Sequence, residues 1–398
     1  MNPPDTDTLT PIVARVLKIE AIIAGAADQH YIISYRGRLY GDSQEAYDQL
    51  AQMLQPLDIT PIFRQEDEAH VIQLVEGTVR PEPSNPIVNL LMFILTLLSV
   101  LFTGAALAFE GAAPETFSGM LLAIIGDLPA GIPFAASMLA ILLAHEFGHY
   151  LAGRFHGVHV TLPYFLPMPY PFSPFGTMGA FIRLKEIPKN KRVLLDIGIA
   201  GPLAGLVVAI PVLLYGLSLS NVEPLHQVTG QMMEGNSILY LSAKYAVFGE
   251  LLPAPPESTY EAIPPALYWL RYYFTGAPFP EGGRDVLVHP VAWAGWAGLL
   301  VTALNLIPAG QLDGGHMIYV LLGKRARKLV PYILGALFLL AIVWPGWLMW
   351  AFLIYILGRV YAEPLDQITQ LDSSRKAFAL LGILLFILVF TPVPLKIF

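Results

Sequence analysis

Apolar and polar positions follow two different patterns along this 398-residue chain, and the change falls near residue 85. Before it, apolar residues recur at helical or alternating spacing between polar ones. Residues 9–22 read as a helix or a helix–strand unit, 31–39 as a strand, and 43–54 as a helix capped by Asp42 or Ser43. Residues 59–63 and 69–75 predict a hairpin around a polar turn at 65–68. Residues 1–84 are therefore expected to form a small soluble α+β domain. The linker Arg80-Pro-Glu-Pro-Ser-Asn-Pro86 joins it to the rest of the chain.

After residue 85 the pattern becomes a series of long uncharged runs. Candidate spans cover residues 87–108, 132–151, 194–219, 291–306, 329–344, 347–357 and 377–390, with Pro345-Gly346 breaking the fifth from the sixth. A helix needs roughly 20 residues to cross a bilayer, so about six to seven transmembrane helices are expected over 85–398. Composition agrees: 55% of residues are hydrophobic and 13% charged, against about 25% charged in an average soluble domain. The expected fold class is an α-helical polytopic membrane protein with a small N-terminal α+β domain. The chain has no cysteine, which excludes disulfides and thiolate metal ligation, and its net charge of -7 gives no support to a nucleic-acid partner. The acidic stretch from Met1 to Asp7 resembles neither a signal nor a transit peptide, so the first span is expected to act as its own insertion signal.

Charge sets the expected orientation. Arg154, Arg183, Lys185, Lys189, Lys191 and Arg192 fall between the second and third spans, and Lys324, Arg325, Arg327 and Lys328 come after the fourth. Arg359, Arg375 and Lys376 flank the last, whereas the connection 220–289 holds only Lys244, Arg271 and Arg284. The positive-inside rule puts the three clusters in the cytoplasm and 220–289 outside. The N-terminal domain is then cytoplasmic, Phe398 lies outside, and the protein is a multi-pass protein of the cell (inner) membrane.

Candidate chemistry sits inside the second span, where His145-Glu146-Phe147-Gly148-His149 comes after a run without charge. The spacing puts two imidazoles on one helix face, one turn apart, with a carboxylate beside the first. Such a set suits Zn²⁺, with the Glu as base for its water. Structural histidines are the bland alternative. Three ionisable residues in one span cost about 2.5–3.5 kcal/mol per central charge and are expected only where a site needs them. Entering from outside at Ile132, the helix carries His145 roughly 20 Å inward at about 1.5 Å per residue, into the cytoplasmic half of the core.

A hydrolytic zinc site needs a third protein ligand and an open position. Asn305-Leu-Ile-Pro-Ala-Gly-Gln-Leu-Asp-Gly-Gly-His316 offers Asp313 at similar depth, with Gly314-Gly315 allowing a sharp turn. The alternatives are a helix N-cap role for Asp313 and ligation by His316. Asn305 is read as a donor to the substrate backbone or reacting carbonyl, against an interhelical hydrogen bond. Gly201-x-x-x-Gly205 reads as a small-residue packing face. Residues 157–187 hold five prolines among the aromatics before Gly176. They read either as a cytoplasmic loop on the membrane surface or as short strands, 158–164 and 177–184, whose edge an unwound substrate could join. His156 and His159 read as surface residues. Residues 237–252 and 260–274 are apolar enough to lie at the membrane interface.

HEFGH, the later Asn305-x-x-Pro308-x-x-x-Leu312-Asp313-Gly314, and Gly179-Ala-Phe181 with Asp196-Ile-Gly-Ile-Ala-Gly-Pro-Leu-Ala-Gly205 together resemble the site-2 protease family of intramembrane zinc metalloproteases (peptidase M50). The chain is most similar to the cyanobacterial and plastid branch, which has no PDZ domain. The resemblance covers residues 87–398 and implies that His145, His149 and Asp313 bind Zn²⁺ and that Glu146 is the catalytic carboxylate. It implies a metalloendopeptidase acting on the transmembrane segment of a single-span substrate in the lipid bilayer. An anti-sigma factor or membrane-tethered transcription factor is the expected kind of partner. The rival readings are a membrane metal transporter, with His and Asp lining a permeation site, and a catalytically silent scaffold.

Overall fold

The computed structural model describes residues 6–25, 31–78, 83–109, 116–227, 232–358 and 360–398. Met1 to Asp5, Arg80 to Glu82 of the predicted linker, and Arg359 of the charge count lie outside the described residues. The N-terminal layer comprises α1 (Thr6–Val13), β1 (Leu17–Ala24), β2 (Ile33–Leu39), α2 (Ser43–Leu54), β3 (Ile59–Glu66) and β4 (Ala69–Glu76). Its antiparallel sheet has the order β1-β2-β4-β3. The Asp42 carboxylate caps α2 by accepting from the Gln44 and Glu45 amides. Strand β3 runs further into the polar turn than expected, leaving Asp67 and Glu68 between it and β4. Asp67 takes the left-handed φ of 53° that a two-residue hairpin turn requires.

Helix α3 (Pro86–Leu107) begins at Pro86 behind an Asn85 cap. Next come α4 (Phe117–Gly126), a ten-residue apolar helix too short to register as a span, and α5 (Ile132–Phe155), which carries HEFGH. The proline-rich segment folds back as a hairpin of β5 (Tyr164–Pro167) and β6 (Thr177–Phe181). Its first strand starts later than the expected 158–164, because Pro163 has no N–H to give the ladder. A single bridge, Val160 to Leu184, extends the pairing beyond it. The hairpin does not lie across the helix ends as a surface loop. Asn89 Nδ2 donates to the Leu162 and Pro163 carbonyls, Ser99 Oγ donates to the Gly176 carbonyl, and Thr103 Oγ1 accepts from the Tyr170 amide. From Asn89 to Thr103 is about 21 Å along α3 at about 1.5 Å per residue. The segment is thus a hairpin held along one polar stripe of an otherwise apolar helix.

Helix α6 (Lys191–Ser218) packs along α5 and leads outward to β7 (Asn221–Pro224), β8 (Met232–Glu234), α7 (Ile238–Phe248), α8 (Glu257–Ala262), α9 (Pro265–Thr275) and β9 (Arg284–Leu287). In this layer β7 pairs with β9, and Lys244 is fully buried between Glu234 and Asp285 at 3.2 Å from each.

The remaining apolar runs form α10 (Pro290–Asn305), α11 (Asp313–Leu322), α12 (Val330–Ala341), α13 (Gly346–Leu357) and α14 (Ser373–Val389), and β10 (Leu395–Ile397) joins β8. Among the described residues, three helices are long and apolar enough to cross a membrane: Pro86–Leu107, Leu128–Phe155 and Lys191–Ser218. The other four predicted spans appear as α10, α12, α13 and α14, of 16, 12, 12 and 17 residues. Helices α6 and α10 close to backbone contact at Gly216, where a Cβ would lie 2.1 Å from the Ala292 amide nitrogen.

Between α13 and α14 the chain returns to the N-terminal sheet. The Phe63 amide donates to the Leu365 carbonyl and the Gln367 amide to the Phe63 carbonyl, while the Leu365 and Asp366 amides donate to the Pro188 and Lys189 carbonyls. Residues 364–370 form a strap along the β3 edge, and Ile368 enters the core of the N-terminal layer. The strap also reaches α11, where Gln367 donates to the Tyr319 hydroxyl.

Candidate metal centre

His145 and His149 project from the same face of α5, as their four-residue spacing dictates. Chain reversal after α10 returns α11 to that face. Leu312 occupies the N-cap position without a side-chain bond, and Asp313 opens the helix. The Asp313 carboxylate therefore does not cap α11; it turns to the two imidazoles. Asp313 Oδ2 lies 3.4 Å from His145 Nε2 and 3.3 Å from His149 Nε2, and the two ring nitrogens are 3.3 Å apart. Among the described residues, these three form the one group of His, Asp and Glu side chains converging closely enough to hold a metal ion.

The triangle tests the fit of a metal. A tetrahedron with bonds of about 2.0–2.1 Å from centre to vertex has edges of about 3.3–3.4 Å, and those bond lengths are what Zn²⁺ takes with His nitrogen and carboxylate oxygen. The three measured edges match one face of it, leaving a fourth vertex open. The His149 tautomer fits as well. Its Nδ1 donates to the Ile197 carbonyl at 2.7 Å, so the Nε2 lone pair faces the cluster.

Glu146 lies beside this triangle, almost fully buried. Ile182, just past β6, lines the pocket beside it, and Oε2 has no hydrogen-bond partner. A buried carboxylate oxygen with no donor is costly. Ala180, Phe181 and Ile182 line the same pocket as Glu146. Asn305 Nδ2 lies 3.2 Å from His145 Nε2, on the rim of the cluster. His316, three residues beyond Asp313, lines the pocket above Gly198, but its ring is not one of the three converging donors and its buried Nδ1 has no partner. His156 is not a free surface residue: its Nε2 meets Asp196 at 2.9 Å. His159 does lie at the surface, beside Glu186.

Two glycines read from the sequence as packing residues support this centre directly. A Cβ on Gly201 would lie 2.0 Å from His149 Nε2, and one on Gly205 would lie 3.1 Å from His145 Nδ1. The i, i+4 pair on α6 is the antiparallel seat of the i, i+4 pair on α5. The equal spacing of GxxxG and HExxH is compatible with this seat but does not by itself fix the register of the two helices.

Known proteins are similar to this chain over much of its length. The sequence profile of peptidase family M50 matches residues 133–343. The chain is 27% identical over 396 residues to probable zinc metalloprotease EGY1, chloroplastic, of Oryza sativa subsp. japonica, covering 90% of this chain and 62% of that one. It is 30% identical over 345 residues to the Arabidopsis thaliana protein of the same name, covering 80% and 56%, and 28% identical over 305 residues to Arabidopsis thaliana probable zinc metalloprotease EGY2, chloroplastic, covering 76% and 48%. The chain thus spans less than two thirds of the length of these relatives. No solved structure matches. The profile takes in more than half of the chain, and His145, Glu146, His149, Asn305 and Asp313 all fall within the matched range; this chain belongs to peptidase family M50.

Proposed function

We propose that this chain is a zinc-dependent intramembrane endopeptidase that cuts within or near the transmembrane segment of a single-span membrane protein. The observation that carries the reading is the three-donor triangle with the unpartnered Glu146 oxygen beside it. His145, His149 and Asp313 would hold the ion and Glu146 is the catalytic carboxylate. When bound, zinc supplies Lewis acidity that makes a water acidic and polarises a carbonyl oxygen. Glu146 takes the proton of the attacking water and passes it to the leaving amine. Asn305 donates from Nδ2 to the reacting carbonyl oxygen as negative charge builds there. His149 is held in one tautomer by the Ile197 carbonyl.

The substrate helix unwinds before cleavage, because its own turn shields each peptide bond. Strand β6 offers an edge beside Glu146 on which the unwound segment adds as a strand. The three long helices and the four shorter ones support about six to seven crossings. In this topology the N-terminal layer and the Arg/Lys clusters face the cytoplasm, residues 220–289 face outside, and the protein is multi-pass in the cell inner membrane. An anti-sigma factor or tethered transcription factor is the class of substrate proposed.

The test compares the purified protein with Glu146→Gln for zinc content and for cleavage of a tagged single-span substrate. Zinc is expected at one equivalent in both, with cleavage in the variant reduced by at least about 10²-fold, the lower range for a general acid–base group. Chelation should remove both zinc and cleavage from the wild type. Unchanged cleavage by Glu146→Gln would sink the role of that carboxylate, and zinc transport without cleavage would favour a transporter.

A further inference from the structure

We propose that His316 is a substrate-binding residue that donates a hydrogen bond from Nε2 to a backbone carbonyl beside the scissile bond, an inference resting on the protease reading above. Helix α6 turns a row of glycines, Gly198, Gly201 and Gly205, toward three imidazoles. A Cβ on Gly198 would lie 3.1 Å from the His316 Cβ and 3.6 Å from its Cδ2, just as one on Gly201 would meet His149 and one on Gly205 would meet His145. The seats of the three rings follow one another along α6 over about 10 Å, at about 1.5 Å per residue. His145 and His149 belong to the three-donor triangle, and His316 does not. Asn305 stands beside His145, at the other end of the row. His316 and Asn305 therefore flank the centre from opposite ends, and both line its pocket.

Cδ2 is the ring atom that comes closest to Gly198, and Nδ1, on the opposite edge of the ring, is buried without a partner. A buried N–H without an acceptor is rarer than a lone pair without a donor, so the proton belongs on Nε2. That leaves one N–H donor on a ring that lines the cavity. A substrate strand paired to β6 uses one edge of its backbone there. On the other edge, alternate residues send their carbonyls into the pocket, about 6.6 Å apart. The reacting carbonyl is one of these, and Asn305 serves it. The next meets the apolar walls Leu184, Leu194 and Ile197, where a carbonyl without a donor is costly. His316 supplies that donor. The rival is packing alone, in which the ring only fills space above Gly198 and an apolar residue of similar size serves as well.

The test uses the full chain in phosphatidylcholine vesicles with a tagged single-span substrate. Affinity is read in the Glu146→Gln background, which separates recognition from turnover, and KM and kcat are read with Glu146 in place. His316→Leu is expected to weaken affinity and raise KM by about threefold to tenfold, the scale of one lost hydrogen bond, with zinc still at one equivalent. His316→Gln keeps an N–H donor and should recover most of the loss. A thioamide, a weaker acceptor, replaces each carbonyl around the scissile bond in turn. At one flanking position it should weaken binding to the chain with His316 and cost His316→Leu nothing further. If His316→Leu does not fold, the thioamide series with His316 and with His316→Gln decides. Equal affinity of the Leu and Gln variants overturns the assignment, as does zinc lost from either or a thioamide without effect at every flanking position. If nothing is cleaved while the affinities keep this ranking, the protease reading fails and the His316 bond stands.

Discussion

At the scale of single residues, the centre depends as much on what is small as on what coordinates. Gly201 leaves the space that the His149 ring occupies. Alanine is ordinarily better than glycine inside a helix by about 1 kcal/mol, so a harmful Gly201→Ala runs against propensity and reports the clash. We expect this variant to lose about 10–100-fold in zinc affinity, the usual cost of disturbing a residue that orients a ligand, with helix content retained. Gly335→Ala is the control, since nothing lies within 4 Å of a Cβ there. Zinc titration of both variants, with far-ultraviolet circular dichroism, checks the pair; equal zinc affinity would remove Gly201 from the centre. His145, Glu146 and His149 were legible because their geometry follows from one helix. Asp313 was legible through the breakers around it, although the sequence left capping and His316 open. The meeting of Gly201 with His149 is a register between two helices, which no local pattern encodes.

At the scale of elements, the strap along β3 ties the N-terminal layer to the helical body by backbone bonds, with one buried carboxylate at its centre. Asp366 Oδ1 accepts from Ser43 Oγ and from the Ile368 and Thr369 amides, and Oδ2 accepts from the Thr369 hydroxyl. Removing that carboxylate strands several buried donors, so Asp366→Ala should cost about 2–4 kcal/mol of local stability. Hydrogen–deuterium exchange checks this. Amides of β3 and of residues 364–370 should exchange faster while α5 and α6 stay protected. Unchanged protection in β3 would mean that the strap does not hold the layer. The Asp42 cap and the β3–β4 hairpin were legible because their partners are neighbours in sequence. The proline-rich hairpin was half legible: its prolines pointed to broken strands, but its seat along α3 came from Asn89, Ser99 and Thr103 on another element. A polar stripe in an apolar span was the overlooked signal.

At the scale of the whole molecule, the layer that holds β7 to β9 is built around a charge cluster that hydropathy alone does not anticipate. Burial drives Asp285 up to about 6, with Lys244 opposing and Glu234 adding to the rise, while the two carboxylates hold Lys244 above its ordinary value against burial. A carboxyl raised in the folded state favours folding most fully below its unfolded value of about 3.9, and that contribution is lost as pH rises through about 6. Lys244→Met leaves two buried carboxylates without their cation and should cost about 3–5 kcal/mol near neutrality. The loss should shrink toward acid pH, as the carboxylates become neutral. Melting temperatures of wild type and variant from about pH 5 to about pH 8 test the sign. A gap that narrows toward alkaline pH would contradict the linkage.

The strap has one more consequence, in the order of manufacture. Phe63 leaves the ribosome some 300 residues before Leu365, its partner in the Phe63 N–H to Leu365 carbonyl bond. At about 5–20 residues per second that is a wait of roughly 15–60 s. Throughout it the β3 edge is a bare template for any other extended chain. The β3 edge is closed only after residue 365 has been made, and its closure certifies that the chain has been threaded that far.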